Sequence, residues 1–315
     1  MNHNEMDWSK KAVLVTGGSG FLGSRVVSIL KERGVKNIVV PTSKEYDLRL
    51  KDNCNKVTKN IDIVFHLAAK VGGIGFNNEN PGELFYDNLI MGTNIMEESR
   101  QNNVEKMIAL GTICSYPKFT PIPFSENSIW EGYPEETNAP YGLAKKMLLV
   151  QSDAYRKQYQ FNSVVVFPTN LYGPNDNFDD NSSHVIPAII KKIMFAKKSK
   201  KPSVSLWGDG TATRDFLYVD DAAEGIILTA EKYSESVPLN LGTGIEISIK
   251  ELAEKLLKIT NANLEIIWET DKPNGQPRRC VDNQKAKNET EFESKISMNE
   301  GLKRTVEWYE AKFST

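Results

Sequence analysis

Ala12-Val-Leu-Val-Thr16, running directly into Gly17-Gly-Ser-Gly20-Phe-Leu-Gly23, is the stretch whose reading decides the fold of this chain. Its first five residues are an unbroken apolar and β-branched run without polar alternation, the pattern of a strand buried on both faces. Glycines at 17, 20 and 23 follow, and then an amphipathic helical stretch to about Arg33. The first two glycines let backbone approach a pyrophosphate, and the third permits tight packing of helix on strand. The helix amino terminus then offers unpaired N–H groups to the phosphates. A glycine loop alone is only a turn; between a strand and a helix it reads as a nucleotide cradle.

Working outward, strands are predicted at Asn37 to Val40, Ile61 to Leu67, Met107 to Leu110 and Ser163 to Phe167, with helices at Pro81 to Asn102 and Tyr141 to Gln160. Alternating strands and helices of this kind predict an α/β fold with a doubly wound parallel sheet. After Asn175 the pattern changes to a polar loop, a helix near Val185 to Lys197, short strands, and helices near Ser248 to Thr260 and Asn299 to Phe313. The expected organisation is a dinucleotide-binding domain over residues 1–171, rejoined by residues 217–243. Residues 172–216 and 244–315 would form a smaller mixed α/β substrate domain.

Composition narrows the function classes. At 315 residues and 40% hydrophobic content, the chain can bury a sizeable core without disulfide support. A net charge of −2, with one basic cluster at 197–201, leaves no nucleic-acid footprint. The three cysteines, Cys54, Cys114 and Cys280, show neither CxxC nor metal-ligand spacing. Their odd number suits a reducing compartment. No apolar run approaches the roughly 20 residues of a membrane helix, and the first eleven residues lack an apolar signal core. A soluble, cytoplasmic protein is expected.

The chemistry concentrates between Leu110 and Lys145. Thr112 follows the core strand, and Tyr141-Gly-Leu-Ala-Lys145 places a phenol and an ammonium on one face of a helix. A phenol titrates near about 10, and a neighbouring ammonium would stabilise the phenolate and bring it towards the working range. Thr112, Tyr141 and Lys145 resemble the triad of the short-chain dehydrogenase/reductase superfamily, and the GxxGxxG loop resembles its extended branch. Glycine residues 17, 20 and 23 with Phe21 and Leu22, then Asp47, Leu48, Leu67, Ala68, Ala69, Leu110, Lys145, Pro168, Asn170, Leu171 and His184, match cofactor contacts of that superfamily. The second strand ends in Pro41-Thr-Ser-Lys44 without the acid that holds an NAD ribose; Ser43 and Lys44 suit the 2′-phosphate of NADP instead.

Longer blocks are more specific. Gly111-Thr-Ile-Cys-Ser-Tyr-Pro-Lys118, Pro168-Thr-Asn-Leu-Tyr-Gly-Pro-Asn-Asp-Asn-Phe178, Ser183-His-Val-Ile-Pro-Ala188 and Trp207-Gly-Asp-Gly-Thr-Ala-Thr-Arg-Asp-Phe216 resemble the GDP-L-fucose synthase family. So do His66-Leu-Ala-Ala-Lys-Val-Gly-Gly73 and Lys272-Pro-Asn-Gly-Gln-Pro-Arg278. Read alone, Cys114 could be a small core side chain and His184 a helix-start residue. The resemblance implies instead that they are base and acid for epimerisation, and that Lys192, Trp207, Arg214, Arg278 and Asp282 hold a GDP-sugar. It further implies NADPH-dependent conversion of GDP-4-keto-6-deoxy-D-mannose to GDP-L-fucose, by 3,5-epimerisation and then 4-keto reduction. Departures are Thr112 and Ile113 where the family usually has serines, and Ser19 where it usually has an arginine.

Competing readings remain at this level. One is a 4-reductase without epimerisation, or an enzyme of a related GDP-4-keto sugar such as a heptose. A 4,6-dehydratase would carry an Asp-Glu pair where Ile113-Cys114 stand, and a UDP-hexose 4-epimerase needs no cysteine–histidine pair. A regulatory protein on this fold would typically have lost Tyr141 or Lys145. The resemblance implies a homodimer built on two helices per subunit, which would suit the apolar stripes near Leu84 to Ile95 and Leu143 to Ala154; read alone, such stripes are core or subunit contact.

Overall fold

A computed structural model describes residues 6–180, 182–272 and 275–313. Pro273 and Asn274, within the last block quoted above, lie outside the described residues. Six parallel strands form the central sheet in the order β2-β1-β3-β4-β5-β9. They are β1 (Ala12–Thr16), β2 (Asn37–Val39), β3 (Ile63–His66), β4 (Lys106–Leu110), β5 (Ser163–Pro168) and, after β6 (Asn170–Tyr172), β7 (Ser203–Trp207) and β8 (Thr213–Tyr218), the edge strand β9 (Leu239–Leu241). The apolar runs lack alternation because both faces of this sheet are covered. Val13, Val15, Ile63 and Phe65 enter one core, and Leu14, Val64, Met107 and Ala109 enter the other.

The first core is roofed by α1 (Phe21–Glu32) and, later in the chain, by the helix Val219–Lys232. The second is roofed by α2 (Lys51–Thr58), α4 (Pro81–Gln101, after the short α3, Ile74–Glu79) and α5 (Ala139–Tyr159). The α5 helix begins two residues before Tyr141, with Pro140 in its first turn, where a missing N–H costs nothing. Helices α2 and α3, the helix Gln284–Thr290 and the 3₁₀ turns at Trp8–Lys10, Ile113–Ser115 and Glu126–Trp130 have no counterpart in the sequence-based assignment.

A third core, around Tyr172, Ile189, Ile190, Leu206, Phe216, Leu252 and Leu302, stands apart from the central sheet. It joins α6 (Val185–Lys198) to the helices Ile249–Ile259 and Met298–Phe313. Two small sheets flank it. In one, β8 is flanked by β10 (Glu246–Ser248) and, beyond β11 (Glu265–Glu269), by β12 (Arg278–Arg279). Strand β6 also pairs with β8, so the chain that leaves β5 is tied at once to the smaller layer. Strand order reverses between β1 and β3, which opens a crevice at their carboxyl ends. Among the described residues, no helix is long and apolar enough to cross a membrane.

Candidate active site

The crevice begins at the glycine loop. Gly17 adopts φ +72°, and a Cβ there would stand 2.9 Å from the Ala68 nitrogen; one on Gly23 would stand 2.1 Å from the Gly17 carbonyl. Only hydrogen fits at either place, so backbone lines the space outside β1 and β3. Gly20 caps α1 without a side-chain bond, leaving first-turn N–H groups for an anion. Ser43 and Lys44 are exposed beyond β2, and Glu45 is turned back to accept the Thr42 hydroxyl at 2.9 Å. This cradle fits a dinucleotide, and the side chains beyond β2 fit an added phosphate. Elsewhere along it, Asp47 is engaged by Arg49 at 2.8 Å, Leu48 and Leu67 are buried, and Ala68 donates its N–H to Thr16 at 3.3 Å.

Thr112, Tyr141 and Lys145 converge where β4 ends. Thr112 caps the 3₁₀ turn, its Oγ1 accepting the Cys114 N–H at 3.2 Å. The same hydroxyl lies near enough to the Tyr141 phenol to favour its ionised form. A Cβ on Gly142 would come within 2.3 Å of the Cys114 carbonyl, so α5 lies directly against the turn. Ser115 fastens the contact by donating to the Gly142 carbonyl at 2.8 Å.

The electrostatics differ from the expectation that Lys145 lowers the phenol. Burial, joined by Cys114, pushes Tyr141 above the ordinary tyrosine range, and the Thr112 hydroxyl only partly opposes it. Lys145 is 1% exposed, its Nζ has no hydrogen-bond partner among the described residues, and burial draws it down to about 8. The physical reason is shared: a low-dielectric wall disfavours phenolate and ammonium alike. Tyr141 therefore holds its proton at neutral pH and is ready to donate it. His66 ends β3 and bonds Thr16 through Nδ1 at 2.9 Å; burial first, and then Lys145, hold it neutral.

The opposite wall comes from the smaller layer. His184 is the N-cap of α6 and is exposed, while the surrounding protein partly desolvates the ring and lowers its pKa. Its loop is drawn in where the Gly73 N–H donates to the Ser182 carbonyl at 3.0 Å. Lys192 donates to the Ser205 carbonyl at 3.0 Å and lies 5.8 Å from the Trp207 ring centre; Trp207 is 51% exposed. Asp282 accepts the Gln284 N–H at 2.9 Å. Pro168 closes β5, and Asn170 and Leu171 lie on β6, with Asn170 donating to the Asp215 carbonyl at 2.8 Å.

On β12 the two arginines part company, because successive strand residues face opposite ways. Arg278 turns outward to Glu246, at 3.1 Å from its Nε. Arg279 is buried, and its Nη1 donates toward the Cys114 sulfur at 3.5 Å. It is the register partner of Arg214 on β8, so two guanidiniums share one face. Burial first, then Arg279, lower Arg214 to about 10, while Cys114 and Glu246 oppose. Sequence reasoning missed Arg279; the available signal was the Arg278-Arg279 doublet, whose inward member only strand register decides.

Comparison with known proteins agrees with this geometry. The sequence model of the NAD dependent epimerase/dehydratase family matches residues 13–242. A putative GDP-L-fucose synthase 2 of Arabidopsis thaliana is 38% identical over 94% of the chain and 91% of its own length. Among solved structures, a GDP-6-OMe-4-keto-L-xylo-heptose reductase from C. jejuni superposes with a TM-score of 0.91 at 27% identity, covering 98% of this chain and 100% of that one. A GDP-L-fucose synthetase from Naegleria fowleri bound to NADP does so with a TM-score of 0.87 at 29% identity, covering 97% and 96%.

Proposed function

The chain belongs to the NAD dependent epimerase/dehydratase family and, within it, to the GDP-L-fucose synthases; on that premise we propose that it converts GDP-4-keto-6-deoxy-D-mannose to GDP-L-fucose. It is a nucleotide-sugar epimerase/reductase that uses NADP(H). The observation that carries the reading is the meeting of the Thr112–Tyr141 pair with Cys114 and the two guanidiniums in one cleft. A plain reductase needs only the first pair.

A ketone at carbon 4 acidifies the hydrogens at carbons 3 and 5. Cys114 as thiolate removes one such proton, and the electron pair moves onto the carbonyl oxygen. Thr112 and Tyr141 hydrogen-bond that oxygen as it gains charge. His184 returns a proton from the other face; a negatively charged GDP-sugar nearby favours its imidazolium against the lowering effect of the cleft. When bound, NADPH supplies the hydride taken up at carbon 4. Tyr141 then protonates the oxygen, a role suited to a phenol kept neutral by burial.

The glycine loop and the α1 amino terminus would hold the pyrophosphate, Ser43 and Lys44 the 2′-phosphate, and Lys145 the nicotinamide ribose. Trp207, Lys192, Arg214 and Asp282 would hold the GDP-sugar, with Arg278 on the rim. A homodimer formed through α4 and α5 fits the exposed Tyr86 and Val150 on those helices, and the free thiols suit the cytoplasm.

The test is incubation with GDP-4-keto-6-deoxy-D-mannose and NADPH in deuterated water. Solvent deuterium at both carbons 3 and 5 of an L-fucosyl product is the expected result. Reduction without deuterium at those carbons would make the enzyme a simple 4-reductase and overturn the epimerase half.

A further inference from the structure

Cys114 needs a companion that the 3₁₀ turn does not supply. Its backbone is fixed by Thr112 and Gly142, and its sulfur meets the Arg279 guanidinium at 3.5 Å. Arg279 is itself held from behind. Its Nε donates to the Gln276 side-chain oxygen at 2.8 Å, and the Gln276 amide donates to the Lys118 carbonyl at 2.9 Å. Lys118 lies four residues beyond Cys114, so the brace starts and ends on one loop. Register with Arg214 fixes the direction of the guanidinium, and the Phe124–Val281 bridge locks β12 onto the same loop. Glu135 is the acid on its flank, already accepting the Thr137 hydroxyl at 2.6 Å.

We propose that Arg279 is a positioning residue for the proposed epimerisation base: braced by Gln276, it holds the Cys114 sulfur in place as an anion facing the sugar. The inference rests on the reading of Cys114 as that base. The physical argument is that the thiolate, not the thiol, removes the proton, and a fixed cation beside sulfur favours it. A guanidinium suits the task because it stays charged whatever the sulfur does. When Cys114 takes the carbon-bound proton it becomes a neutral thiol, and the displaced electron pair rests on the substrate oxygen beside Thr112 and Tyr141. Arg279 then faces a neutral group, so the pairing resets when the thiol gives its proton back to solvent.

The experiment compares the NADPH-loaded wild type with Arg279→Met, Arg279→Lys and Gln276→Leu. The first readout is the rate at which iodoacetamide alkylates Cys114 at pH 7, followed by peptide mass spectrometry. Cys54 and Cys280 are buried, and are counted separately on their own peptides. Arg279→Met should slow Cys114 alkylation about tenfold, Gln276→Leu less, and Arg279→Lys should recover part of the loss. The second readout is deuterium entry at carbons 3 and 5, which should fall in the same order while KM for the GDP-sugar moves less than threefold. Unchanged alkylation with a raised KM would make Arg279 a substrate-binding residue and overturn the proposal. Unchanged alkylation with unchanged KM would also overturn it. Alkylation needs no sugar substrate, so an absence of deuterium entry in the wild type would sink the epimerase reading while leaving the Arg279–Cys114 pairing independently decided.

Discussion

Thr112, Tyr141 and Lys145 come from one strand end and one helix of the central layer, within 34 residues of sequence, and all three are buried. Cys114, His184, Arg214 and Arg279 come from a 3₁₀ turn, a helix cap and two strands of the smaller layer, spread over 166 residues; His184 is exposed, Cys114 and Arg214 are half-buried and Arg279 is buried. The first group is held by local geometry: a helix repeat, a capped turn and a glycine contact. The second exists only when two layers meet. This contrast suggests a division of labour. The rigid, dry wall suits proton donation by a neutral phenol, and the wall assembled from both layers suits handling of a charged, variable sugar.

The sharpest way to break that division is Tyr141→Phe. It removes the proton donor and leaves the packing of the ring, so NADPH oxidation with the keto sugar should fall about 10²- to 10⁴-fold. NADPH binding, read by fluorescence titration, should change little. Near-normal turnover would mean the buried wall is not the reducing one. Cys114→Ser probes the other side. Deuterium entry at carbons 3 and 5 should fall by roughly 10²-fold or more, while slow NADPH oxidation persists and yields a product reduced without inversion. Loss of both activities together would deny that the walls work separately.

Legibility in the sequence follows the same contrast. The nucleotide half could be read because each feature is local: β1 and its glycines are contiguous, and Tyr141 and Lys145 are one helical turn apart. Strand ends moved by a residue or two, which changes no side-chain face. Arg279 was illegible because its inward orientation is set by pairing with Arg214, 65 residues earlier. The raised Tyr141 was also illegible, since burial is not a property of a four-residue motif. Cys114 and His184 were singled out by family likeness rather than spacing, and which wall they face became visible only in the folded chain.

A smaller effect should separate the two cofactors. Ser43 and Lys44 are exposed beyond β2, and Glu45 is occupied by Thr42, so no carboxylate there opposes a 2′-phosphate. The wild type should favour NADPH over NADH in kcat/KM. Lys44→Ala should cut that preference about tenfold, the worth of one charge-assisted contact, with kcat for NADPH nearly unchanged. A preference left intact would move phosphate recognition elsewhere on the loop.

The smallest effect concerns what the buried wall costs the fold. Among the described residues the Lys145 ammonium has no hydrogen-bond partner, and burial draws it from 10.5 to about 8. Below pH 8 the ammonium is charged in both folded and unfolded chains, and the folded chain carries the whole penalty of burying it. Between about 8 and 10.5 the unfolded chain still binds the proton while the folded chain has released it. Stability from this group therefore rises with pH through that window. The shift corresponds to at most about 3 kcal/mol, part of which any replacement would lose in packing. Lys145→Met keeps an unbranched stem without the charge. At pH 7 it should raise the melting temperature by about 2–4 °C while abolishing most reduction, and the advantage should shrink as pH approaches 10. Cys114→Ser, on the open wall beside Arg279, should show no such pH-dependent gain. If Lys145→Met melts lower than the wild type at pH 7 and the gap does not change with pH, the ammonium is not an electrostatic burden on the fold. The contrast between a costly dry wall and an open one would then have to rest on geometry alone.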